Sequence, residues 1–164
     1  MLSLRMKTLV LSLALFGISA FAQIPRQKIK IMNQRLHKEL KVVKVDYFTN
    51  IPSEEFYFVD PYQKNKKNKA LAFSLENLFK HFAPDAKSVK LTAINLYQVI
   101  IQRNTERAKT TYVMYKQDGN WMENSDLGPL RVIRKGLGII PNDKITKEGI
   151  DWIWMINEIS FIYE

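Results

Sequence analysis

The chain contains no cysteine, and among its 164 residues it has only two histidines, six glycines and six prolines. Without a thiol it cannot form a disulfide, offer a thiolate to a metal or attack through sulfur. The two histidines, His37 and His81, fall in unrelated segments, and His81 sits beside the apolar face of a predicted helix over 75–82. No spacing of histidine or carboxylate residues suits a metal site. No G-x-S-x-G element marks a nucleophile elbow. Glu54 and Glu55 are adjacent on a predicted strand edge and do not form a spaced acid/base dyad. The sequence also lacks internal repeats and low-complexity tracts.

What is present begins with a strongly patterned amino terminus. Arg5 and Lys7 precede an apolar run from Leu9 to Ile18, and Ala20-Phe21-Ala22 is a small-x-small cleavage site. The run is shorter than the ~20 residues of a spanning helix. The pattern predicts a signal peptide over 1–22, a mature start at Gln23, and export to the periplasm. No cysteine follows the apolar core, which excludes a lipoprotein anchor, and no later stretch is long and apolar enough to span a bilayer. Residues 23–164 suit a single domain, held together by packing alone.

The formal net charge is +9. Such an excess favours phosphate-rich or acidic partners. The densest run, Gln63-Lys64-Asn65-Lys66-Lys67-Asn68-Lys69, carries no interleaved aromatics that would stack bases. It lies between apolar segments, where a solvated loop is expected. The reading therefore excludes nucleic acid and favours a lysine-rich soluble surface, an anionic membrane surface, or an acidic or membrane-bound protein partner.

Hydropathy patterning predicts an α+β domain built on a compact mixed or antiparallel sheet with a few short helices. Residues 27–32 alternate as a half-buried strand, and 39–45 form a second. Residues 46–51 read as a short helical turn capped by Asp46 and stopped before Pro52. The aromatic stretch 55–59 is a strand ended by Asp60-Pro61. Ser74 caps a helix over 75–82 whose Leu75, Leu78, Phe79 and Phe82 share one face. Residues 88–101 read as a strand pair or one bent strand, with a break near Asn95-Leu96, and 104–108 as a short helix. Residues 111–115 form a strand, and Asp118-Gly119 centres a hairpin turn that leads into Trp121. Residues 130–134 and 152–163 are the final strands, joined by a long loop over 136–149 of the kind that often binds.

Four segments carry a resemblance. Leu71-Ala72-Phe73-Ser74-Leu75-Glu76-Asn77-Leu78-Phe79 stands where a "G-V-P-L-x-D-L-L" helix entry would. Leu91-Thr92-Ala93-Ile94-Asn95-Leu96-Tyr97 stands for an "A-L-N-D-Y" segment. Asp126-Leu127-Gly128-Pro129-Leu130-Arg131-Val132-Ile133-Arg134 stands for a "G-P-L" strand, and Trp152 opens a closing strand. In this order, from about Gln27 to Tyr163, the chain resembles the sulfite-oxidase-type molybdopterin-binding domain family. The resemblance implies that fold, a pterin or molybdopterin-like ligand, and a pocket near Asn95, Tyr97, Gly128 and Pro129. Family enzymes hold molybdenum through a cysteine thiolate, which this chain lacks. The family's Asn-Asp-Tyr here reads Asn95-Leu96-Tyr97, and the continuation after Gly128-Pro129 is more basic.

The residues themselves offer two sets of contacts. Arg131, Arg134 and Lys135, at a predicted strand end, suit phosphate recognition; on an extended strand Arg131 and Lys135 share one face and Arg134 takes the other. The plainer reading is a solvated strand end. Asn95 and Tyr97 share a strand face and can read a heterocycle edge, or they are a turn asparagine and a half-buried tyrosine. Trp152 and Trp154 share a strand face and read as core; Trp121 reads as a satellite of the core. Asp60 and Tyr62 read as a turn or a pocket rim. Three functions fit: an exported non-catalytic binding domain with a degenerate pterin-type pocket, an accessory subunit of a periplasmic molybdopterin-dependent oxidoreductase or electron-transfer system, or an interaction domain with a vestigial pocket.

Overall fold

The strands form two sheets around one shared core. The computed structural model describes residues 23–164, so the predicted signal peptide lies outside the described residues. The strands are β1 (Lys28–Asn33), β2 (Lys38–Lys44), β3 (Ser53–Asp60), β4 (Lys66–Ser74), β5 (Ser88–Ala93), β6 (Gln98–Gln102), β7 (Thr111–Gln117), β8 (Asn120–Trp121), β9 (Arg131–Arg134) and β10 (Ile156–Ile162). Three short helices are α1 (Leu75–Phe82), α2 (Glu106–Thr110) and α3 (Ile145–Glu148). One sheet has the order β2-β1-β10-β5-β6; the other runs β3-β4-β7-β8, with β9 also paired to β7. Among the described residues only β1 and β10 are paired in parallel; the other pairs are antiparallel.

The main core takes Ile29 and Ile31 from β1, Leu91 from β5 and Phe161 from β10, and Phe73, Val113 and Val132 from the second sheet. Helix α1 closes it with Leu75, Leu78 and Phe79. Ser74 caps that helix by accepting a hydrogen bond from Asn77 N at 3.1 Å, as its sequence position predicts. The second sheet is buried on its other face too. There Phe58, Ala70, Ala72, Met114, Met122, Ile133 and Trp152 form a smaller cluster. Period-2 alternation sends Val132 to one core and Ile133 to the other.

The predicted Asp-Gly hairpin is present, with Asp118 at φ 50 and Gly119 at φ 84. Several expectations change. The turn after β2 is a 3-10 helix from Val45 to Asn50, with Lys44 at its cap position and no side-chain cap; Asp46 lies inside it. The lysine run is loop only to Asn65, because Lys66–Lys69 extend β4 and pair with β3. The long 136–149 segment contains α3 and a preceding 3-10 turn over Asn142–Lys144. The closing strand starts at Ile156, not Trp152. Residues 152–155 instead cross the end of β9: Val132 N donates to Ile153 O at 2.8 Å and Met155 N to Leu127 O at 3.2 Å. Met155 then turns the chain through φ 55 into β10.

Gly128 fits this crossing because it has no side chain. A Cβ there would lie 2.5 Å from the carbonyl carbon and oxygen of Met122. Backbone atoms cannot yield as a flexible side chain can, so Gly128→Ala is expected to lower stability by roughly 2–3 kcal/mol. Gly119→Ala, which meets open space but keeps a positive φ, should cost only about 1 kcal/mol. Urea unfolding of both variants checks the order; equal midpoints would contradict the close approach.

Candidate functional site

The site grows from the end of β3. Asp60 is the last residue of that strand and is fully buried, as is Arg131 at the start of β9. Arg131 Nη1 donates to Asp60 Oδ2 at 2.6 Å, and Asp60 Oδ1 accepts from Tyr62 N at 2.9 Å. A buried charge persists only when paired, so Arg131 is committed to Asp60. Its Nε and Nη2 find no protein partner among the described residues, and neither does the Trp152 indole N–H. The guanidinium lies 5.7 Å from the Trp152 ring centroid, a cation–π contact that partly compensates.

Tyr62 follows the Asp60-Pro61 corner and packs its ring against Trp152 at 6.4 Å and Trp154 at 5.5 Å. Its hydroxyl donates to Gly149 O at 2.9 Å. Burial raises the Tyr62 phenol above its ordinary value, and the neighbouring Tyr97 and Asp151 add to the rise.

Between the β5–β6 turn and the crossing segment lies a cleft of about 260 Å³, lined by Ala93, Asn95, Tyr97, Trp152, Ile153 and Trp154. Of the two expected arrangements for Asn95 and Tyr97, a shared strand face or a turn asparagine, the turn is the one present. They occupy the turn, where Leu96 takes φ 68 and Asn95 Oδ1 accepts from Tyr97 N at 3.2 Å. Asparagine's preference for such local bonds explains the turn. Tyr97 Oη donates to Ile150 O at 2.8 Å, which fixes the ring at the rim with its surface 47% exposed. Trp152 and Trp154 also sit off any strand. Trp152 is core, as expected, while Trp154 is half-buried and joins the cleft wall. The sequence signal for Trp154 is its spacing from Trp152; Tyr62, expected as a turn residue or a pocket rim beside Pro61, packs against that cleft wall.

The other expected site residues are elsewhere. Gly128 and Pro129 are buried beneath Met122 and outside the cleft. Arg134 points to the opposite side of β9 from Arg131 and donates through Nε to Thr110 Oγ1 at 2.9 Å. Burial pulls its guanidinium below the ordinary arginine value. Arg107, 3.3 Å from the buried Asp151, completes that second charged group. Lys135 is paired with Glu54. The structure thus brings Asn95 and Tyr97 together and separates them from Gly128, Pro129, Arg131 and Arg134.

A pterin cofactor with its molybdenum centre and phosphate does not fit these residues. The sequence has no thiolate, no group of three or more metal-binding side chains exists among the described residues, and Arg131 and Arg134 do not converge. A flat ring alone matches the aromatic lining. No helix among the described residues is long and apolar enough to cross a membrane.

No family model matches the chain, and no curated protein matches it. Among solved structures it is similar to the crystal structure of the sulfane dehydrogenase SoxCD from Paracoccus pantotrophus, with a TM-score of 0.57 and 12% identity. The match covers 84% of this chain and 38% of that one, so the chain spans well under half the length of the protein it matches. At this identity the likeness is one of fold. The mainly antiparallel α+β arrangement with few short helices is the fold class that the patterning predicted, and it is shared with that structure.

Two predictions follow from the charges. Asp60→Asn or Arg131→Met alone should each cost roughly 3–5 kcal/mol in urea unfolding, whereas the double variant Asp60→Leu/Arg131→Met should recover most of the loss. Losses that simply add would show that the pair is not coupled. Tyr112 is pushed up to about 12, first by burial and then by the adjacent Glu54 carboxylate. The folded state therefore holds the phenol proton more tightly than the unfolded chain. Stability should fall as pH rises from about 10, the ordinary tyrosine value, toward 12. Spectrophotometric titration should show Tyr62 and Tyr112 among the late-ionising phenols, and Tyr112→Phe should remove one such step; an unchanged late phase would contradict the assignment.

Proposed function

We propose that this chain is an exported, non-catalytic binding domain whose aromatic cleft takes a flat heteroaromatic ring, a pterin being the first candidate. The observation that carries the proposal is the cleft of about 260 Å³, in which Tyr97, Trp152 and Trp154 stand around a turn bearing Asn95. Ligand sites are mostly apolar and aromatic with a few placed polar groups. Here the rings supply stacking surface, and the bond that Asn95 Oδ1 accepts from Tyr97 N orients the amide, whose NH₂ can donate.

The same geometry argues for recognition rather than turnover. With Arg131 locked to Asp60 and no thiolate in the chain, the cleft has neither an anion clamp nor a metal ligand. Export rests on the basic start and apolar run of residues 1–22. The fold likeness to part of a dehydrogenase chain favours a second reading, an accessory component of a redox system. In that case the catalytic centre belongs to a partner, and the basic surface would dock an acidic or membrane-bound one.

Native mass spectrometry of the protein isolated from its host is expected to give a polypeptide beginning at Gln23. Titration with a free pterin should quench tryptophan emission with a dissociation constant of roughly 1–100 µM. Tyr97→Leu and Trp154→Leu should each weaken binding about tenfold, while Arg134→Gln should leave it unchanged. A clean apo mass with no quenching by any pterin would remove the ligand and leave the docking reading.

A further inference from the structure

Every open sheet ends in strands whose outer backbone groups are unpaired, and proteins blunt such edges with charge, shortness or bulges. Among the described residues, four of the five outer strands are blunted or covered; β9 is covered by the crossing segment, Val132 N bonding Ile153 O. β2 carries Lys38, Lys41 and Lys44, and its pairing with β1 is shifted by a bulge between Ile31 and Met32. β3 carries Glu54 and Glu55, and β8 has two residues. The remaining edge, β6, reads Gln98-Val99-Ile100-Ile101-Gln102 and has no charge, proline or bulge.

The backbone direction of β6 follows from its partner. Ala93 N donates to Tyr97 O and Arg103 N to Lys87 O, on either side of the pairs Leu91↔Val99 and Val89↔Ile101. Antiparallel pairs alternate between bonded and non-bonded. The backbone of Val99 and Ile101 therefore faces β5, and that of Gln98, Ile100 and Gln102 faces outward. The same three side chains lie on the solvent face, with Ile100 57% exposed. Beside the strand runs a groove of about 430 Å³, bounded by Thr105, Arg107, Ile150 and Asp151. Its charges are balanced internally, because Arg107 meets both Asp151 and Glu148.

We propose that β6 pairs antiparallel with β6 of a second copy of this chain, about a two-fold axis through Ile100. The exposed pattern is its own mirror: Ile100 meets Ile100 of the second copy, and Gln98 meets Gln102. Glutamine amides both donate and accept, so that pair is self-complementary, and each outward residue exchanges both backbone bonds. The self-complementary register selects the occupant, and charge selects the edge. At a net charge of +9 two copies repel, and self-pairing of β2 about its centre would set Lys41 against Lys41. β6 brings no like charges together. Leu96, 78% exposed, and Ile150, 58% exposed, extend the apolar surface on either side. The contact is small beside the ~800 Å² per partner of a standard interface, so the dimer is a weak one.

Sedimentation equilibrium of the purified protein tests this. The expected result is a monomer–dimer equilibrium with a dissociation constant of roughly 10–100 µM. Ile100→Lys, at an exposed position where folding is unaffected, should raise it about tenfold or more. Val42→Lys, on the opposite edge, should not change it. Hydrogen exchange needs no variant: the amides of Ile100 and Gln102 should gain protection as concentration rises, while those of Val99 and Ile101 stay protected throughout. The same readout distinguishes association through the amino-terminal apolar run, which would leave these amides unchanged and overturn the proposal. A monomer at about 1 mM would overturn it, as would a dimer indifferent to Ile100→Lys. A monomer that captures a strand of another protein through β6, and loses it in Ile100→Lys, would replace self-pairing with strand addition by a different partner.

Discussion

The Asp60–Arg131 ion pair is the constraint on which the cleft region depends. Both side chains are fully buried, and removing two charges from water is costly unless each finds the other. Strand order places β3 and β9 on opposite sides of β4 and β7, so the pair bridges one face of the second sheet. The residues that β4 contributes to this face, Ala70 and Ala72, are small, which leaves room for an arginine to cross. Breaking the pair would strand a charge in a cluster otherwise made of Phe58, Met114, Met122, Ile133 and Trp152.

From this pair the geometry passes outward in two steps. Asp60 holds the backbone of Tyr62, and Arg131 lies against Trp152. Tyr62 in turn contacts Trp152 and Trp154, which are walls of the cleft. The opposite rim is set separately, by the Asn95 turn and the bond from Tyr97 to Ile150. Glycines permit both closures: Gly128 lets the chain pass Met122, and a Cβ at Gly149 would collide with the Tyr62 hydroxyl. The cleft is thus built on corners held by hydrogen bonds and close backbone approach. That suits a site that recognises a shape.

The sequence carried the parts of the fold whose causes are local. Alternation located β1, Ser74 announced α1, and Asp118-Gly119 announced its hairpin. It misassigned residues 152–155 because Trp, Ile and Met there look like a strand, while their backbone bonds go to Leu127 and Val132 and not to a sheet neighbour. Arg131 read as a solvated strand end or a phosphate ligand, and it is neither, being fully buried against Asp60. Its partner lies 71 residues away, and no periodicity links a strand-end arginine to an aspartate before a proline. Asn95 and Tyr97 were chosen as neighbours and are neighbours, but through a turn rather than a shared strand face.

What remains is a protein whose interactions are divided by chemistry. The basic residues lie at the surface or in internal pairs; Lys69 with Glu55, Lys135 with Glu54 and Arg103 with Glu76 are all spent within the chain. Arginines that are paired internally are poor anion clamps, because each new contact would have to displace an existing one. Two of the surfaces open to a partner are uncharged: the aromatic cleft at Tyr97, and the β6 edge that begins at the next residue. Tyr97 lines both the cleft and the groove beside β6. A strand laid along that edge would change the surroundings of the same ring that a ligand would stack upon. Ligand binding and edge pairing then share one side chain, and any difference in the position of Tyr97 between the two states would couple them with the same free energy in either direction.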